Sequence, residues 1–185
     1  RPNVKMHDGT PLTADLVKKN FDRNLGLGKR VSGTMLDSLR TIGSVEVTGP
    51  LQVRFVLKEP SGQIPFIMGG IAGMIAAESS ISGDAFGNTF KAVGAGPYRL
   101  KSFESNVKSV MTRNDDYWGG SAGRPAGFEH HYVPDGRARL NALRSGQANV
   151  VLIDPRQIPE AKSAGLTVQI NEKNLPLREE NNYAN

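Results

Sequence analysis

Apolar and polar positions follow two different periods along this chain, and the changes of period mark its elements. Val4-Lys5-Met6-His7 alternates, as a strand end does. Asp8-Gly9-Thr10-Pro11 follows as a turn: Asp supports local hydrogen bonds, Gly tolerates positive φ and Pro fixes the exit. Leu16, Val17 and Phe21 then fall on one helical face with Leu25 near its edge, while Lys18, Lys19, Asp22 and Arg23 face outward. Thr13 suits the N-cap, Asp15 lies where the helix dipole favours a carboxylate, and Gly26 and Gly28 end the helix. Over residues 28–44, Val31, Met35, Leu36, Leu39 and Ile42 keep an approximately helical spacing behind a small polar start, Ser32-Gly33-Thr34.

The period then falls to two. Val45, Val47, Val53, Phe55 and Leu57 alternate with polar positions on either side of Gly49-Pro50, predicting a hairpin with one buried face that stops at Glu59-Pro60-Ser61-Gly62. Residues 64–77 are apolar and glycine-rich. Gly69, Gly70 and Gly73 argue against a helix interior, so a buried turn or strand where backbone closes on another strand or a ligand is expected. Residues 79–89 read as a loop or short helix.

Gly94-Ala95-Gly96-Pro97 launches a second hairpin, with extended runs at 98–103 and 107–113 separated by Glu104-Ser105-Asn106 and closed by Tyr117-Trp118. A strand is predicted at 128–133. Asp135 caps a helix from Gly136 that Gly146 stops, and a nearly all-apolar strand follows at 148–153. Strand, helix and apolar strand over this length predict a βαβ unit with a parallel pair. Asp154-Pro155 and Pro159 open a further short helix ending at Gly165, and Leu166, Val168 and Ile170 alternate as a last strand. Residues 171–185 are polar without a period and read as a cut end; the first residues read as the inside of a strand of something longer.

Composition narrows the class. With 38% hydrophobic and 22% charged residues in 185, the chain is globular and holds one domain or two small subdomains. No apolar run is long enough to span a bilayer, and no basic-then-apolar signal segment stands at the start. Zero cysteines exclude disulfides, thiolate metal sites and Cys nucleophiles, and fit any compartment, an oxidising one included. The net charge of +5 is spread out, and the aromatics do not interleave with basic residues, so a solvated basic surface is favoured over a nucleic-acid partner.

The candidate chemistry resolves mostly into structure. Gly94-Ala95-Gly96 lacks the third glycine and following helix of a dinucleotide loop and the Lys-Ser/Thr of a P-loop, which leaves a turn. His130 and His131 are neighbours on a strand and point to opposite faces, so they do not easily share one ion. Asp115-Asp116 is a turn after a strand and not a facing acid-base pair. Tyr117-Trp118 reads as a packing anchor with bonded polar atoms more than as a stacking platform. No G-x-S-x-G elbow and no other catalytic constellation is present, and neither metal nor cofactor is expected.

Taken in order, several blocks resemble the extracytoplasmic solute-binding proteins of the peptide/nickel ABC-transporter family, family 5. VKMHDGTPLTADLVKKNFDR, residues 4–23, is similar to that family's strand, Asp-Gly-Thr-Pro turn and helix. VGAGPYRLKSFESNVKSVMTRNDDYWGG, residues 93–120, resembles its Gly-x-Gly-Pro-Tyr hairpin ending in Arg-Asn-x-x-Tyr-Trp. VPDGRARLNALRSGQANVVL, residues 133–152, resembles its Pro-Asp helix and following strand, with Asn149 where the family usually has Asp. The hairpin VEVTGPLQVRFVLKEP, residues 45–60, also fits.

The resemblance implies a mixed α/β chain that is part of a periplasmic-binding-protein type II fold: the first lobe plus a small extra subdomain, with the opposite lobe absent. Residues 1–91 would form the small β-rich subdomain with one N-terminal helix, and residues 92–185 the central-sheet part of the lobe. It implies a periplasmic or extracytoplasmic protein, lipid-anchored or free, monomeric when full length. Such a protein would capture a peptide-like solute, a nickel chelate or another small molecule by cleft closure and deliver it to an ABC permease, with no chemistry of its own. By position, Ser32, Thr34, Met35, Gly73 and Met74 would touch the solute. No arginine stands in the glycine-rich loop, which favours an apolar or peptide-like ligand over an acidic one. The alternative for Met35 and Met74 is that they fill core gaps. The alternatives for the whole are a periplasmic peptide-directed hydrolase, and a sensor or chaperone on the same fold.

Overall fold

The structure, a computed structural model, describes residues 1–26, 39–81, 92–120 and 123–170. Packing divides the chain into Arg1–His130 and His131–Asn185.

In the first unit the helical face forms as expected. Helix α1, Ala14–Gly26, begins where Thr13 Oγ1 accepts the Leu16 amide at 3.2 Å, and it buries Ala14, Leu16, Asn20, Phe21 and Asn24. Strands β1, Ile42–Gly49, and β2, Gln52–Leu57, pair antiparallel with Val45 opposite Phe55 and Val47 opposite Val53. The register slips between Ile42 and Ser44. That bulge adds one residue, so Ile42 and Val45, three apart, both turn inward although a regular strand would oppose them. Phe21 meets Phe55 edge to face at 4.9 Å and 83°, and Leu39, Ile42, Val45 and Ala72 complete this core.

A second cluster gathers Met6, Leu16 and Ala77. The N-terminal turn reaches it by folding back tightly: Met6 N–H donates to Thr10 O at 2.8 Å, Leu12 N–H to Val4 O at 2.9 Å, and Gly9 takes φ +85°. Asp8 accepts from Thr10 Oγ1 at 2.6 Å and from Ser79 Oγ at 2.7 Å.

Strands β3, Tyr98–Glu104, β4, Lys108–Arg113, and β5, Gly127–His131, form a three-stranded sheet in that order. The turn between β3 and β4 places Asn106 at φ 59°, a conformation Asn adopts more readily than most residues. The Gly94–Gly96 turn is a structural staple. His7 N–H donates to Gly94 O at 2.7 Å, Gly94 N–H donates to His7 Nδ1 at 3.3 Å, and His7 Nε2 lies 3.0 Å from Gly96 O. A carbonyl only accepts, so Nε2 carries the imidazole hydrogen and Nδ1 is left to accept. Trp118 has its polar atom bonded as read from the sequence but is half exposed: Nε1–H donates to Ala95 O at 3.2 Å and the Arg1 guanidinium lies 4.6 Å over its ring.

The second unit holds helix α4, Gly136–Arg144, counting after two short helices of the first unit, α2, Ile64–Met68, and α3, Glu78–Ile81. Asp135 caps α4 by accepting the Ala138 amide at 2.7 Å, and Gly146 lies at φ +75° just beyond its end. A 3₁₀ turn, Pro155–Gln157, carries a capping box between Asp154 and Gln157 and leads into α5, Ile158–Ser163, with Gly165 at φ +74° after it. Leu140 and Ala161 are the buried apolar side chains of these two helices.

The expected βαβ pair is not formed. Residues 148–153 and 166–170 are not strands, and Val150 is 76% exposed. Arg139 donates to Val133 O at 2.6 Å, to Pro134 O at 2.8 Å and to Leu152 O at 2.7 Å, so a guanidinium and not a ladder ties the segment after α4 to the one before it. Apolarity reports that a segment can be buried between neighbours; it does not supply them.

Candidate functional site

The residues singled out for solute contact fall on two segments. Ser32, Thr34 and Met35 lie outside the described residues. Gly73 and Met74 lie on the glycine-rich segment, which differs from the buried turn or strand expected there. Pro65 in the first turn starts α2, where its missing N–H costs nothing, and Gly69 ends it. A 3₁₀ turn follows at Ile71–Gly73, and Met74 leaves it extended at φ −67°, ψ 133°.

This segment is amphipathic, not buried. Ile64, Ile67, Met68, Ala72 and Ile75 pack into the core. Phe66 is 79% exposed, Ile71 47% and Met74 67%. Met74 therefore does not fill a core gap. From Pro60 to Ala77 the sequence has no charged residue, so the outward face is apolar and neutral. Gly73 is explained by close approach of the chain to itself. A Cβ on Gly73 would run into the Met68 carbonyl, and it is this backbone, not another strand, that comes close.

Asn20 holds the segment in place. Its Nδ2 donates to Leu16 O and to Ala76 O, each at 2.9 Å, and its Oδ1 accepts the Ala76 amide at 3.0 Å. Ala77 N–H donates to Val93 O at 2.9 Å, and Lys19 pairs with Glu78 at 2.7 Å. Hydrogen bonds from Thr10 and Ser79 hold the Asp8 carboxyl below its ordinary range. Sequence reasoning passed over Asn20. The available signal was a polar residue at position i+4 from Leu16 and beside Phe21, in the middle of an apolar helical face.

Among the described residues no three His, Cys, Asp or Glu side chains gather as a metal site. What the segment offers is an exposed, uncharged apolar surface on a backbone tied down at Ala76 and Ala77.

Residues 1–181 match the model of the bacterial extracellular solute-binding proteins, family 5 Middle. The oligopeptide-binding protein AppA of Bacillus subtilis is 30% identical over 159 residues, which are 80% of this chain and 28% of that protein. Its solved structure, in complex with a nonapeptide, superposes with a TM-score of 0.71 at 26% identity over 86% of this chain and 32% of that one. A nickel ABC transporter structure from Bacillus halodurans gives a TM-score of 0.71 at 25% identity, covering 88% of this chain and 32% of that one. Across the curated relatives the chain spans between 21% and 33% of their length.

Proposed function

The chain belongs to family 5 of the bacterial extracellular solute-binding proteins, and from that premise we propose that it is part of the solute-capturing component of an ABC importer. Its solute is peptide-like, and Gly73 and Met74 contribute to the surface that receives it. The observation that carries this reading is the exposed, charge-free face of the segment around Met74. An apolar or uncharged group of a peptide loses water against such a face at no electrostatic cost, whereas a charged group finds no partner on it.

In this reading residues 1–91 form the small extra subdomain and residues 92–185 part of the first lobe. Capture follows from closure: the solute makes contacts in the closed state that the open state lacks, and its binding shifts the population toward closure. The closed protein, periplasmic or otherwise extracytoplasmic, hands the solute to a membrane permease. A nickel chelate is the second reading, favoured by the structural likeness to a nickel transporter.

Met74→Arg in the intact polypeptide that carries this chain tests the site. Calorimetric titration with trileucine is expected to show at least a tenfold loss of affinity. Unchanged affinity removes Met74 from the solute surface. Mass spectrometry of solute retained through purification separates peptide from nickel chelate.

A further inference from the structure

We propose that Asn20 is the positioning residue of the solute-facing segment: a side-chain amide on α1 that stands in for a neighbouring strand and sets where Met74 points. The functional consequence rests on the reading that Met74 faces the solute; the structural one does not.

Asn20 is 4% exposed, in the apolar face of a helix that Leu16 and Phe21 share. A buried amide is destabilising unless all its hydrogen-bonding groups are used. Here both Nδ2 hydrogens and Oδ1 are used, and two of the three bonds go to one residue, Ala76. A side-chain amide has the same donor and acceptor as a peptide unit. Bonding both the N–H and the C=O of a single residue reproduces the paired exchange between two residues of an antiparallel ladder. Ala76 thereby has a strand partner without a strand.

The clamp has a directional effect. Met74 is extended, and across an extended residue successive side chains point to opposite sides. Ile75 is packed inward against both apolar clusters. With Ala76 held by Asn20 and Ile75 held by the core, Met74 is left pointing outward, as its 67% exposure records. On the other side Gly73 is confined by the Met68 carbonyl. Met74 thus sits between a steric stop and a hydrogen-bonded one. A solute surface made this way is pre-organised, and it does not have to be ordered when the solute arrives.

The test uses the intact polypeptide with Asn20→Leu, which keeps the volume and the apolar packing of the helix face, and Asn20→Asp, which keeps an oxygen to accept the Ala76 amide. Hydrogen exchange is followed at Ala76 and across the β1–β2 hairpin, with trileucine affinity measured in parallel. The expected result for Asn20→Leu is exchange at Ala76 at least tenfold faster while hairpin exchange is unchanged, and trileucine affinity at least tenfold weaker; Asn20→Asp falls between Asn20→Leu and wild type in both. Exchange at Ala76 equal to wild type overturns the proposal, as does acceleration at Ala76 and the hairpin in equal measure, which marks general destabilisation. A freed Ala76 with unaltered trileucine affinity overturns the positioning role in binding. If the wild-type protein takes up no trileucine, the peptide-binding reading fails, while the exchange comparison still decides whether Asn20 sets the segment.

Discussion

Arg99 and Asn114 meet through a single oxygen: Arg99 Nε and Nη2 both donate to Asn114 Oδ1, at 3.1 and 2.6 Å. Asn114 is buried, and its Nδ2 donates to Gly96 O at 3.1 Å while its backbone N–H donates to Pro97 O at 2.8 Å. Arg99 also donates to His7 O at 3.3 Å. The turn that launches β3, the end of β4 and the N-terminal turn are thereby joined by side-chain amide and guanidinium groups where no ladder runs. Asn114→Leu removes the acceptor for Arg99 and the donor for Gly96 together. Arg99 keeps His7 O and Asp116, and Gly96 O keeps His7 Nε2, so neither group is stranded. Each lost hydrogen bond is worth about 0.5–1.5 kcal/mol, and urea unfolding should show a loss on that order.

His7 is bonded on both ring nitrogens and through its own amide to the same glycine turn. His7→Ala leaves Gly94 N–H and Gly96 O without these partners but keeps the backbone bond from His7 N–H to Gly94 O. The expected loss is about 1–3 kcal/mol. It should appear as faster amide exchange at Gly94, with the β1–β2 hairpin unaffected.

Phe21 and Phe55 form the edge-to-face contact at the centre of the first core. Phe21→Ala should destabilise by about 3–5 kcal/mol, the usual cost of removing a buried aromatic side chain. A double-mutant cycle with Phe55→Leu should assign about 0.5–1.5 kcal/mol to the ring pair itself, read from chemical denaturation of the four proteins.

Gly73→Ala places a methyl group against the Met68 carbonyl, which is backbone and cannot rotate away. Overpacking of this kind costs about 1–3 kcal/mol. The melting temperature should fall, and because Met74 follows directly, trileucine affinity should fall with it.

Acid should weaken the fold through two carboxylates. Arg156 hydrogen bonds lower Asp154 to about 2 from an ordinary 3.8, and hydrogen bonds from Thr10 and Ser79 lower Asp8. Each is depressed in the folded chain, so each contributes stability above the unfolded value, and that contribution is lost as pH falls through the folded one. For Asp154 the window runs from about 4 down to about 2. Asp154→Asn and Asp8→Asn should each flatten the dependence of the urea midpoint on pH in the acid range and leave the slope near neutrality unchanged.

Much of the fold was legible because local rules dominate it. Thr13 and Asp135 are caps, Gly9, Gly146 and Gly165 take positive φ, and both hairpins form about the turns read for them. The apolar runs at 148–153 and 166–170 misled, because a strand is a relation between two segments and a run describes only one. The glycine-rich segment misled in the other direction. Its glycines serve a short helix end and a close turn, Phe66 is exposed where burial was expected, and Met74, read as solute-facing or else as a core filler, is exposed. Of the candidate site, Gly73 and Met74 lie together on one exposed segment, while Ser32, Thr34 and Met35 lie outside the described residues.

What the amino-acid order determined by itself was everything set within a few residues: helix starts and stops, hairpin turns, the face of α1 that turns inward, and the motif order that marks the family. Tertiary structure alone decided the partners of isolated polar groups. His7 finds a glycine turn 87 residues away, and Asn20 finds Ala76 at a separation of 56. A buried polar side chain must have a partner, and sequence states that need without naming who meets it. In this chain the partner of Asn20 is the backbone that carries the candidate solute surface, so the placement of that surface is a tertiary fact.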